Sequence, residues 1–177
     1  MRLSMRLLAL SALSLVASAA TAARADVSLN NMFGDHMVLQ QGIRNRVWGK
    51  ADAGENVSVS IAGQSHQTTA GANGTWEVKL DPLMEYGGPH ELVVKGKNTV
   101  TFHDVLVGEV WVASGQSNMA MQVSRAKNFE QEQTAAKHPQ LRMFTEASPN
   151  SPTAQFTGKG EWVVCSPETV GRFSATA

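Results

Sequence analysis

The chain has 177 residues, with 15 basic and 15 acidic side chains and a formal net charge of zero. This length allows one ordinary domain or two small ones. The balanced charge argues against nucleic acid or an anionic membrane as a partner. Cys165 is the only cysteine, which excludes an internal disulfide and suggests a small buried hydrophobic residue.

The first 25 residues have the three parts of a secretory signal peptide. Arg2 and Arg6 give a positive start, residues 7–20 are largely apolar, and residues 23–25 match a small-x-small cleavage site. The apolar stretch is short for a membrane anchor. We therefore expect an exported protein, periplasmic or secreted, that begins near Asp26 and is not membrane-bound. Without its leader it carries 12 basic and 15 acidic side chains.

Residues 26–104 follow an all-β pattern. Polar and apolar side chains alternate over residues 56–61, 75–80 and 99–102, as on strands with one face on a core. Turn residues separate these runs, and Asn73-Gly74 suits a type I′ hairpin. The spacing predicts a small antiparallel β-sandwich of the immunoglobulin or jelly-roll kind.

The pattern then changes to that of an α/β domain. Residues 105–107 and 110–112 are apolar without alternation, as in strands covered on both faces. A helix is expected over residues 128–137, with Asn128 as N-cap, and a strand over residues 141–144. Strand, helix and strand in this order open an α/β domain.

The last part of the chain is predicted to be a loop, a short strand and a helix start. These fall at residues 148–160, residues 161–164 and Ser166-Pro167. An α/β sheet needs more such units to close its core. We therefore expect residues 105–177 to be the N-terminal part of a larger domain that continues past Ala177.

A serine lies in a turn after the predicted strand 110–112, within the sequence Gly115-Gln116-Ser117-Asn118-Met119. A serine hydrolase needs such a place, because the hydroxyl is exposed and nearby backbone N–H groups can receive an oxyanion. The alternative is that Ser117 caps a helix, and spacing alone does not separate the two. The stretch is not a G-x-S-x-G elbow, since Met119 replaces the second glycine. Gln116 is a candidate substrate contact, and Asn118 a candidate support of the loop.

A serine nucleophile needs a base, usually a histidine oriented by a carboxylate. His36 and His103 adjoin Asp35 and Asp104. Neighbours on a strand point to opposite faces, so neither pair is expected to form a relay, and no histidine of the chain is favoured as the base. The sequence has no phosphate loop, metal-spaced cluster or dinucleotide fingerprint, so we expect no metal and no cofactor.

Six blocks of the sequence carry a resemblance to a known family. Through them the mature chain, over essentially its whole length, resembles the bacterial sialate O-acetylesterase-like proteins of the SGNH hydrolase superfamily. The blocks are residues 32–41, 47–49, 76–78, 105–111, 114–119 and 165–174.

The resemblance implies a β-sandwich beside an α/β hydrolase domain of flavodoxin-like order. It implies that Ser117 is the nucleophile, that its backbone N–H is one oxyanion donor, and that acetyl groups leave O-acetylated sugars (sialic acid or polysaccharide) through an acetyl-enzyme. The superfamily also needs an oxyanion glycine, an oxyanion asparagine and an Asp-x-x-His pair. No Asp-x-x-His occurs here, and Ala120 stands where relatives often carry glutamate. We therefore expect the 177-residue chain alone to be inactive.

A different class of function stays open at this point. The protein could be a non-catalytic carbohydrate-binding or adaptor protein built on the sandwich. Trp48, Trp76 and Trp162 are then the candidate surfaces for stacking on sugars, although tryptophans of sandwiches more often lie in the core.

Overall fold

A computed structural model of the chain describes residues 26–177, and the predicted signal peptide lies outside the described residues. Within that range the protein is mostly β-sheet with few helices. The strands are β1 (Ser28–Leu29), β2 (Val38–Gln40), β3 (Arg46–Lys50), β4 (Asn56–Ile61), β5 (Gln64–Thr69), β6 (Thr75–Lys79), β7 (Gly87–Lys95), β8 (Thr99–Gly108), β9 (His138–Phe144) and β10 (Trp162–Cys165). The helices are α1 (Phe129–Ala135) and the 3-10 helices Ser117–Ala120, Val123–Arg125 and Val170–Arg172.

Eight of these strands form two sheets. The smaller sheet has the order β1-β3-β6, and the larger has the order β2-β8-β7-β4-β5. β2 and β8 run parallel, whereas the other neighbours are antiparallel. The predicted antiparallel pairing is therefore confirmed for the other neighbours and wrong for β2 and β8. Parallel neighbours need a long crossover, which the chain from β3 to β7 supplies here.

The two sheets share one hydrophobic core. Val57, Val59 and Ile61 of β4 are buried while the serines between them are half-buried, as the alternation predicted. Trp76 and Val78 reach the same core from the smaller sheet. Burial of one such side chain contributes about 1.5–3 kcal/mol, so this shared core is the main source of stability.

The turn chemistry differs from the prediction at one point. Asn73-Gly74 does not form a type I′ hairpin, because Gly74 has a positive φ (73°) and Asn73 does not. The strand after this turn pairs with β3, not with β5, so the turn connects two sheets. The positive φ angles of a type I′ turn occur instead at Ala62 (47°) and Gly63 (77°), between the paired strands β4 and β5.

β5 forms one outer edge of the larger sheet. Its sequence is Gln-Ser-His-Gln-Thr-Thr, without an apolar side chain. The backbone groups on the free side of an edge strand are open to water or to another chain.

Residues 105–112 depart most from the sequence prediction. β8 continues to Gly108 and buries Val105 and Val107 in the shared core, so the predicted boundary after Asp104 falls inside this strand. The prediction of a buried strand over residues 110–112 was wrong, since Trp111 is 87% exposed and Val112 93%. A short apolar run becomes a strand only beside a partner for its backbone groups, and residues 26–177 provide none for it.

The C-terminal part contains the predicted helix and strands, with different ends. α1 is shorter than predicted, and Asn128 does not cap it with its side chain because its backbone is left-handed, with φ at 59°. β9 and β10 form an antiparallel pair. Residues 166–169 form a turn before a 3-10 helix, instead of the predicted helix start at Ser166. A small second core joins Ala136, Cys165 and Phe173.

Among the helices of residues 26–177, none has both the length and the apolar character that a membrane crossing needs.

Candidate active site

Ser117 is the first residue of a four-residue 3-10 helix and lies exposed at the surface. The residue before it, Gln116, occupies the N-cap position with extended backbone angles (φ −113°, ψ −151°), and no side chain caps the helix. The Ser117 hydroxyl is therefore not used as a helix cap, which was the alternative left open by the sequence.

The backbone around Ser117 leaves two N–H groups available. The Met119 N–H donates to the Gln116 carbonyl at 2.9 Å, and the Met121 N–H donates to the Asn118 carbonyl at 3.1 Å. The N–H groups of Ser117 and Asn118 have no acceptor within residues 26–177, as expected at the start of a helix. Both N–H groups belong to the turn that presents the hydroxyl.

The C-terminal segment holds the residues that follow Ser117. The Thr176 hydroxyl donates to the Asn118 carbonyl at 3.0 Å, and the Ala175 N–H donates to the Met121 carbonyl at 2.8 Å. The Val123 N–H donates to the Phe173 carbonyl at 2.9 Å. Residues 118–123 and residues 173–176 thus support each other, although about 50 residues separate them.

Gly115 allows the turn to fold tightly. A Cβ atom at this position would lie 2.8 Å from Cγ of Met119, closer than two carbon atoms approach without displacement. Gln116 and Asn118 lie exposed on either side of Ser117. In the part of the chain that the structure describes, no hydrogen bond joins these three side chains.

A cleft of about 660 Å³ opens beside this turn. Its lining includes Trp111, Gln116 and Ser114 from the segment before Ser117, and Arg142 and Trp162 from β9 and β10. Apolar walls with a few polar groups in a volume of this size are typical of small-ligand sites.

The five histidines of the chain all lie within the described residues. None of the five makes a hydrogen bond to Ser117 in residues 26–177. Instead, His36 Nδ1 lies 2.7 Å from Asp104 Oδ2, and the His103 backbone N–H donates to Asp35 at 2.7 Å. As expected, neither histidine pairs with the aspartate next to it in sequence. His36 pairs with Asp104 and His103 with Asp35, because the loop before β2 packs against β8.

Arg142 completes the charged group around Asp104. Its guanidinium lies 2.9 Å from Asp104 Oδ2, and its side chain is only 4% exposed. This ion pair joins β9 to β8 and was not predicted, since nothing in the sequence links residues 38 positions apart.

A comparison with known proteins identifies relatives of the chain, although no family model matches it. It is 37% identical over 125 residues to the sialate O-acetylesterase of Rattus norvegicus, covering 63% of this chain and 23% of the relative. The human sialate O-acetylesterase is 38% identical over 109 residues, covering 54% of this chain and 20% of that protein. A carbohydrate acetylesterase from Xanthomonas citri, solved by crystallography, superposes with a TM-score of 0.82 at 34% identity over 85% of this chain and 35% of that one.

The chain belongs to the sialate O-acetylesterase-like family. It spans about a quarter of the length of the curated relatives that it matches.

The tryptophans of this family member divide into core and surface residues. Trp76 is 3% exposed and lies in the shared core, so it is not a sugar-stacking surface. Trp48 packs edge-on against Phe33, with ring centroids 4.8 Å apart. Trp162 donates to the Met32 carbonyl at 2.8 Å but also lines the cleft. Trp111, predicted to be buried, is the most exposed of the four.

Glu146 is an acidic residue of the cleft wall. Its pKa is lowered, first by a hydrogen bond from the Ser148 side chain and then by backbone N–H groups of Ser148 and Lys159. A carboxylate that accepts several hydrogen bonds stays ionised and is a poor proton carrier near neutral pH. Across residues 26–177, no group of three or more His, Cys, Asp and Glu side chains is placed to hold a metal ion.

Proposed function

We propose that this chain carries the nucleophile of a carbohydrate O-acetylesterase, and that Ser117 is that nucleophile. The observation that carries the proposal is the turn at Ser117, where an exposed hydroxyl free of a capping role lies next to two N–H groups without acceptors. The family supports the substrate class, since relatives are named as a sialate O-acetylesterase and a carbohydrate acetylesterase.

The proposed reaction has two steps. The Ser117 oxygen attacks the acetyl carbonyl, its proton passes to a base, and the sugar oxygen leaves as an alcohol, which gives an acetyl-enzyme. Water then attacks the acetyl-enzyme, releases acetate and regenerates the hydroxyl. The N–H groups of Ser117 and Asn118 are the candidate donors to the tetrahedral oxyanion. Within residues 26–177, no side chain that could act as the base makes a hydrogen bond to the Ser117 hydroxyl.

We further propose that residues 105–177 contribute to an α/β hydrolase domain of flavodoxin-like order, next to a β-sandwich. The order of α1 and β9 after the Ser117 turn supports this arrangement. The exposed apolar residues 110–112 also support it, because they have the composition of a central strand. We propose an exported location from the leader pattern of residues 1–25.

The test is Ser117→Ala in the protein expressed from the complete reading frame. Hydrolysis of an O-acetylated sialic acid and of an aryl acetate should fall by at least about 10³-fold, since loss of a triad serine costs about 10⁶-fold in a well-studied protease. Ser124→Ala is the matched control, as Ser124 is also exposed on a 3-10 helix nearby, and it should keep full activity. Retention of activity by Ser117→Ala would contradict the proposal.

The isolated 177-residue chain provides a second comparison. A serine without a base loses most of the contribution of a triad, so this chain should show no more than trace hydrolysis of the aryl acetate. Strong activity that depends on Ser117 would mean that the base lies within the chain.

A further inference from the structure

The chain leaves the larger sheet directly before the segment that leads to Ser117. Backbone pairing between β2 and β8 ends at Gln40 and Gly108, and the Gln41 N–H donates to the Gly108 carbonyl at 2.9 Å. The next two residues, Glu109 and Val110, belong to no strand but line the cleft.

The side chain of Gln40 holds both of these residues. Its Oε1 accepts the Val110 N–H at 2.8 Å, and its Nε2 donates to Glu109 Oε2 at 3.0 Å. A carboxamide has the same donor and acceptor groups as a peptide unit. The Gln40 side chain therefore accepts the Val110 N–H as the backbone carbonyl of a neighbouring strand would.

The backbone of Gln40 is itself fixed from the core. Asn45, which is 9% exposed, accepts the Gln40 N–H at 3.2 Å and donates to the Gln40 carbonyl at 2.8 Å. The Asn45 carbonyl accepts the Leu80 N–H at 2.9 Å. These contacts use only the backbone of Gln40, so its side chain can be changed while its place in the sheet is kept.

We infer that Gln40 is a positioning residue of the esterase site: its carboxamide sets the direction in which residues 109–116 run from β8 to Ser117. This inference rests on the proposed function of Ser117. Gln40 acts through Val110 and Glu109 and is not among the residues that line the cleft. The rate of the catalysed reaction depends steeply on the position of the nucleophile, because a shift of about 1 Å can lower this rate by about 10²-fold.

The contacts of Gln40 allow a reciprocal substitution. Gln40→Glu keeps an acceptor for Val110 but removes the donor to Glu109 and brings two carboxylates together. Adding Glu109→Gln restores a donor and an acceptor with the roles exchanged. Gln41→Glu is the matched control, since the Gln41 side chain donates to the Met84 carbonyl at 2.6 Å and not to Glu109.

The first measurement does not depend on catalysis. Hydrogen exchange of the Val110 amide, measured in the protein from the complete reading frame, should become about tenfold faster in Gln40→Glu, because repulsion between the carboxylates at positions 40 and 109 moves the acceptor away from Val110; a tenfold change corresponds to about 1.4 kcal/mol. It should return to within about threefold of the wild-type rate in the double variant and stay unchanged in Gln41→Glu. Unchanged exchange in Gln40→Glu would overturn the inference.

The second measurement is steady-state kinetics on the same variants. In Gln40→Glu, kcat should fall by about tenfold or more while KM stays within about threefold, because the substrate contacts are retained and the nucleophile is displaced. The double variant should recover most of kcat. A single variant with faster exchange but wild-type kcat would overturn the positioning role. Failure of the proposed function would instead appear as wild-type activity in Ser117→Ala.

Discussion

Residues 26–108 and residues 109–177 differ sharply in the size of their hydrophobic cores. The first region buries 18 apolar residues in one core shared by two sheets. The second has a core of three buried residues and leaves Trp111 and Val112 almost fully exposed. The candidate nucleophile lies on the second region, so its geometry depends on contacts to the first region and on hydrogen bonds such as those of Gln40.

The largest effect is expected from the shared core. Leu92 is 0% exposed, and Leu92→Ala should reduce the free energy of unfolding by about 2–5 kcal/mol, because it leaves a cavity between the sheets. Urea unfolding followed by far-ultraviolet circular dichroism measures this loss. Met84→Ala, at a side chain 70% exposed, is the control and should change little. A loss below about 1 kcal/mol in Leu92→Ala would contradict the importance of this core.

A smaller effect is expected from the ion pair that joins the two regions. Arg142→Met removes the cation beside Asp104 and should cost about 1.5–3 kcal/mol, the range for hydrogen bonds to charged groups. The loss should appear as faster amide exchange in β9 and β10, with exchange in β4 unchanged. Equal acceleration in β4 would show that the two regions unfold together.

Cys165 reports on the second core directly. It is the only cysteine, it is 3% exposed, and burial raises the pKa of its thiol. Alkylation at neutral pH should therefore be slow, since the thiolate is the reactive form. Phe173→Ala opens the core around it and should speed labelling by about tenfold, which corresponds to about 1.4 kcal/mol. Rapid labelling of the unmodified chain would contradict the burial of Cys165.

The smallest effect is expected at an exposed ion pair of the first region. The pKa of Glu77 is lowered, mainly by a hydrogen bond from the Arg46 side chain. Because the folded pKa is lowered, the pair stabilises the fold above the ordinary pKa of glutamate, and this contribution is lost as the pH falls through the lowered value. In Arg46→Ala the Glu77 pKa should return toward its ordinary value in an NMR titration, whereas Lys79→Ala should shift it less.

The sequence predicted the first region better than the second, for a physical reason. Residues 56–61 alternate between core and water, and this alternation alone identifies β4. The pairing of strands was not predictable in the same way. Asn73-Gly74 is typical of a hairpin turn, but β6, which follows it, pairs with β3 in the smaller sheet. The parallel pair of β2 and β8 likewise depends on contacts between residues far apart in sequence.

At the candidate site, local chemistry was predictable and long-range pairing was not. A turn between predicted elements identifies Ser117 as the candidate nucleophile, and the structure places it at the start of a helix without a capping role. The His36–Asp104–Arg142 group was missed because it assembles from three separate elements. Residues 110–112 were predicted to be buried from composition, but burial also requires a neighbour.

The polar edge of β5 has a consequence for the behaviour of the protein at high concentration. A free edge made of Gln, Ser, His and Thr gives little apolar area for a second copy to cover. In the isolated 177-residue chain, contacts between copies should therefore begin at the exposed apolar side chains of Trp111 and Val112, in the other region. Replacing these two side chains with polar ones should raise the solubility of that chain. β5 has no apolar side chain to replace, so substitutions there should not raise it.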